Sequence, residues 1–144
     1  MTKTFAPSNF FGNMMNSVYP LNAPEVTPVV GMGATQLLWT DRIASTIVAV
    51  EELTSKRYSH LVHLRRDKAT RTDGGGMTDA QAYSYTPGDP ARPVASFARL
   101  RKSGAWVRVK HAPGSGRLSS FFKGAGGVNQ LVLDTRNEYY DFSF

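Results

Sequence analysis

The sequence predicts a mainly β fold, a small partly closed antiparallel β-barrel of about seven strands with a short N-terminal helix. Three observations predict it. From Ala34 onward, β-branched and aromatic residues recur in short runs separated by brief polar links. Turn residues punctuate those runs at close intervals, and helical periodicity is confined to one segment near the start. At 144 residues the chain is long enough for one packed domain, burying about two-thirds of the surface of its unfolded form.

Ser8 can cap a helix in which Phe10, Phe11, Met14, Met15 and Val18 share one face, and Pro20 stops it. Residues 21–28 read as an extended arm, so residues 1–30 form a helix and arm ahead of a ligand-binding barrel over residues 31–144. Residues 35–40, 45–50 and 58–66 are the first strands. In the third, Tyr58, His60, Val62 and Leu64 alternate with Ser59, Leu61, His63 and Arg65. Neither set is purely polar, so part of the outer face is expected to be covered.

Residues 67–79 read as a long polar loop with three consecutive glycines, and residues 81–85 as a further strand before a turn at Pro87, Gly88, Asp89 and Pro90. Residues 94–101 and 105–110 form the clearest hairpin, with Gly104 where a three-residue loop wants a left-handed residue. The basic, Gly- and Ser-rich residues 111–127 are expected to be mobile. A last strand spans 129–134, and the end of the chain is too aromatic for a loose tail.

Composition narrows the function. With no cysteine, neither disulfides nor thiolate zinc sites form, which favours a reducing interior. No signal peptide or membrane span is expected. The formal charge of +6, with most of the cations arginine, favours an anionic partner.

Catalytic and cofactor motifs are thin. His60 and His63 fall on opposite faces of a strand and cannot clamp one metal together. His111 has no acid or serine motif beside it, and Gly31-Met32-Gly33 precedes a strand, so a dinucleotide fingerprint fails. Neither an enzyme nor a cofactor or metal is therefore expected. Asp41, Asp67, Asp73 and Asp134 stay open as candidates for a carboxylate pair.

Arginines at element ends beside small or aromatic residues do recur: Arg42 after Trp39-Thr40-Asp41, Arg71 before Thr72-Asp73-Gly74, and Arg136 before Tyr139-Tyr140. Arginine grips phosphate bidentately, glycine lets backbone N–H groups approach a ligand, and aromatic rings stack on bases. The alternative is plain surface pairing of Asp41 and Asp73 with these arginines.

WTDR at 39–42, RTDGGGMTDAQAYSY at 71–85 and EYYDFSF at 138–144 together resemble a family of small phage proteins, the anti-Thoeris nucleotide sponges. The likeness runs from about Gly33 to the C-terminus. It implies a non-catalytic homo-oligomer, dimer or hexamer, in the host bacterial cytoplasm. Such a protein sequesters cyclic ADP-ribose-type signals and, in some members, cyclic di- or trinucleotides of CBASS immunity.

The resemblance implies a ligand site at Leu37, Arg42, Phe97, Arg136 and Tyr139, with Phe97 as a stacking face. Arg71, Thr72 and Gly74 would serve a larger cyclic nucleotide. Gly75 and Gly76 depart from the family's asparagine, and residues 111–127 are longer than the family's segment. Two other readings stay open. One is a nucleic-acid-binding barrel in which Arg99, Arg101, Arg108, Lys110, Arg117 and Lys123 track a backbone while Trp106 and Phe97 stack bases. The other is a phage structural or assembly protein.

Overall fold

A computed structural model describes residues 26–77, 80–111, 117–121 and 128–142. The helix expected within residues 8–20, and most of the arm behind it, lie outside the described residues. The strands are β1 Gly33–Leu37, β2 Arg42–Glu52, β3 Tyr58–Arg66, β4 Lys68–Arg71, β5 Tyr83–Thr86, β6 Val94–Leu100, β7 Trp106–His111, β8 Leu118–Ser120 and β9 Leu131–Leu133. Seven form one sheet in the order β8-β7-β6-β3-β2-β1-β9, while β4 and β5 pair separately. Every pairing is antiparallel.

The ladder does not close into a barrel. Its far parts are nonetheless drawn together: Gln130 N–H donates to Trp106 O at 2.7 Å, while Asn129 Oδ1 and Gln130 Oε1 accept from the backbone N–H groups of Trp106 and Arg108. Curling of this kind follows from strand twist. It encloses a core of Ala34, Ile47, Val62, Leu64, Phe97, Trp106, Leu131 and Leu133. The other face carries a second cluster, Tyr58, Leu61, Ala98, Val107 and Val109. Apolar residues on both faces of β3 therefore serve two cores, but a register shift between Tyr58 and His60 puts Tyr58 with Leu61 instead of with Val62 and Leu64, where plain alternation had it.

Two strands arise where the sequence pointed to loops. β4 occupies the start of the polar segment after Asp67, pairing Lys68 with Thr86 and Arg71 with Tyr83. Its hydrogen-bond partner supplies what its polar sequence lacks in strand preference. β8 lies in the basic Gly/Ser-rich segment and pairs with β7 from Val109↔Ser120 to His111↔Leu118. The hairpin between β6 and β7 turns on Gly104 at φ 78°, a left-handed conformation that glycine adopts without steric penalty. Among the described residues no helix is long and apolar enough to cross a membrane.

Candidate functional site

Residues 39–42 and 81–85 meet around the C-terminal segment 138–141. Arg42 and Tyr139 form an isolated antiparallel bridge, exchanging backbone hydrogen bonds of 2.9 Å. Asp141 N–H donates to Asp41 Oδ1 at 2.8 Å, tying the same tail to the β1–β2 turn. Gln81 works like a strand residue: its Nε2 donates to Tyr140 O and its Oε1 accepts from Tyr140 N–H. Tyr85 Oη accepts from Glu138 N–H at 2.9 Å.

Beneath this junction lie two buried carboxylates. Asp67 Oδ1 accepts from Thr46 Oγ1 at 2.6 Å and from Gly88 N–H at 2.9 Å, and its Oδ2 pairs with Arg136 Nε at 3.0 Å. Arg136 Nη2 also donates to Thr46 Oγ1. Glu138 Oε1 accepts from Ala44 N–H, and Oε2 pairs with Arg66 Nη2 at 2.9 Å. Arg66 contacts the Tyr140 hydroxyl as well. Burial, then the Glu138 carboxylate, pushes that hydroxyl up to about 12, so it stays a neutral phenol. Each carboxylate is thus satisfied by its own arginine and a backbone donor, which is how charge is accommodated inside a fold.

Arg136, expected at the ligand, spends Nε and Nη2 inside the protein. Arg71, at the end of β4, donates through Nε to both Asp73 oxygens and through Nη2 to Gly76 O at 2.8 Å. Its guanidinium lies 5.7 Å from the Tyr83 ring centre. Arg71, together with the N–H groups of Gly75 and Ala82, holds Asp73 well below the ordinary carboxylate value. Thr72 is exposed and donates its N–H to Ala82 O, while Gly74 takes φ 93° at the loop tip. For Arg71 and Asp73, pairing at the surface is therefore what forms.

Arg42 differs. Its Nη1 donates to Asp41 O at 3.0 Å and lies 3.5 Å from Leu38 O; the Asp41 carboxylate is turned to the tail instead. Burial draws Arg42 below its ordinary arginine value, partly opposed by Asp41 and Tyr139. Among the described residues its guanidinium forms no ion pair with a carboxylate. Leu37 is its partner across the β1–β2 ladder. Next to them Trp39 is 92% exposed, an unusual position for an indole, and Leu38 and Phe142 are exposed too.

Phe97 is a correction to the expected stacking role. It is 2% exposed, sits between Val62 and Arg108 in the ladder, and belongs to the core of one protomer. Trp106, 5% exposed, is likewise core rather than a stacking surface. By strand alternation Phe97 shares a face of β6 with Ala95 and Arg99, and the curl of the open sheet makes that face interior at Phe97. Sequence reasoning missed Arg66, Glu138, Tyr140 and Gln81 as members of the junction. Their signal was the tail's high aromatic content, which marks a packed segment without naming its partners.

Among the described residues no group of His, Asp and Glu is arranged to hold a metal ion. His60 and His63 do face opposite sides of β3: His60 pairs with Arg99, whereas His63 bonds Ser96 and Glu51. No protein-family model matches this chain, and neither does any curated protein or solved structure.

Proposed function

We propose that the protein is a non-catalytic nucleotide-capture protein of the anti-Thoeris sponge type, binding a cyclic ADP-ribose-type signal and releasing it unchanged. The observation that carries this reading is the convergence of residues 39–42, 81–85 and 138–141 on one junction, although they are far apart in the chain. Arg42 supplies a guanidinium that is in no ion pair with a carboxylate of the described residues, and Trp39 supplies an open ring for a base. Arg136 and Arg66 position this end of the sheet through Asp67 and Glu138. The exposed Leu38, Trp39 and Phe142 suit burial against a second copy, so that the ligand lies between subunits of a homo-oligomer.

The test is calorimetry against a panel of cyclic ADP-ribose isomers and cyclic di- and trinucleotides, with the mass of the protein measured in solution. Wild-type protein binds at least one of the panel, and ligand recovered after heat denaturation elutes unchanged. Trp39→Ala weakens capture by roughly 5-fold or more, the lower end of one stacked base. Arg42→Gln weakens it by about 10-fold, the usual cost of a lost charge-assisted contact. Absence of binding across the panel, or recovery of a cleaved product, overturns the proposal.

A further inference from the structure

Charge is segregated along this chain. None of its eleven acidic residues falls between Asp89 and Asp134, yet that stretch carries eight of the seventeen Lys and Arg. The topology gathers this stretch at one end of the sheet, because β6, β7 and β8 are consecutive there. No carboxylate of their own interrupts the positive potential there.

At the centre of this region, Arg108 and Lys110 lie on the same face of β7 by strand alternation. Phe121 follows β8, and its N–H donates to Arg108 O at 2.8 Å. The Arg108 guanidinium lies 4.2 Å from the Phe121 ring centre and the Lys110 ammonium 6.0 Å from it, with Phe121 42% exposed. Arg117, exposed, immediately precedes β8. Among the described residues neither Arg108 nor Lys110 is in an ion pair. Arg108 is half-buried, and burial draws it below its ordinary value. An arriving anion offsets that desolvation.

We infer that the β6–β8 end of the sheet binds single-stranded nucleic acid, with Phe121 and Arg108 as a stacking platform and Arg108, Lys110 and Arg117 on successive phosphates. An aromatic ring backed by cations recognises the open face of an unpaired base, which a duplex conceals. Cations spread over two strands match a run of phosphates better than the one or two of a small nucleotide. The inference uses none of the residues assigned to cyclic-nucleotide capture, and so stands or falls separately.

Fluorescence anisotropy of labelled oligodeoxynucleotides tests it, with lengths of about 6, 12 and 24 nucleotides chosen to span the footprints of small β-barrels. Affinity is expected to rise with length and to fall with salt along a log–log slope of about −2, as three phosphate contacts on a single strand require. The double variant Arg108→Gln/Lys110→Gln weakens binding by roughly 10-fold or more through the loss of two such contacts. Phe121→Ala weakens it by roughly 5-fold or more. Lys56→Gln, which removes a charge outside the acid-free stretch, leaves affinity within about 2-fold, since net charge alone is a weak long-range term at moderate salt. Circular dichroism establishes that each variant is folded. No binding, equal affinity for duplex, binding only to anionic lipid vesicles, or full affinity in the folded double variant each overturns the inference.

Discussion

At the scale of single residues, the two buried carboxylates engage two arginines, of which sequence reading assigned one, Arg136, to a ligand. Asp67 has a fully buried side chain and three partners, whereas Arg136 keeps part of its surface in water. Asp67→Asn preserves shape but leaves Arg136 without its counter-charge, and is expected to cost about 2 to 4 kcal/mol, somewhat below a fully buried pair. Urea unfolding measures it. Tyr140 gives a pH signature of the same junction. Its folded value of about 12 exceeds the ordinary 10.0, so its contribution to stability is complete below pH 10.0 and is lost as pH rises through about 12. Ultraviolet difference titration is expected to show phenol ionisation persisting above pH 11, a late step absent from Tyr140→Phe.

At the scale of elements, the β4–β5 hairpin and its loop are held by side chains more than by a core. Asp73 accepts from Arg71, Gly75 and Ala82, all near the surface. Its depressed value places the sign clearly: the contribution is present above the ordinary 3.8 and fades only as pH falls below it. Asp73→Ala is therefore expected to speed amide exchange over residues 71–82 while moving the global unfolding midpoint far less than Asp67→Asn does. Hydrogen exchange read beside urea unfolding distinguishes the two outcomes. In the β6–β7 hairpin, by contrast, Gly104 supplies the turn and the apolar side chains of both strands supply packing against the core.

At the scale of the molecule, one curled sheet carries two cores and directs charge to different places. Phe97, central to the larger core, is expected to cost about 3 to 5 kcal/mol when changed to Ala. Because it is enclosed, the milder Phe97→Leu is expected to leave cyclic-nucleotide affinity per folded molecule unchanged; calorimetry of the folded variant checks this. Loss of affinity there would return Phe97 to the ligand site.

The strands with strong local patterns were legible without coordinates. β3 is placed at its observed bounds, β6 and β7 within a residue at each end, and the left-handed turn glycine correctly. The absence of acid between Asp89 and Asp134 is likewise a property of sequence alone. Alternation and turn chemistry are short-range, so residues a few positions apart reveal them. Pairing between elements decided the rest. β4 and β8 exist because the neighbouring strands β5 and β7 complete their hydrogen bonds, and Phe97 became core because the sheet curls. The roles of the arginines belong to that second class: Arg136 meets Asp67 across 69 positions and Arg66 meets Glu138 across 72, while Arg42 forms no carboxylate pair among the described residues. Guanidinium groups look alike in a sequence, and only the fold determines which carboxylates come within reach of them.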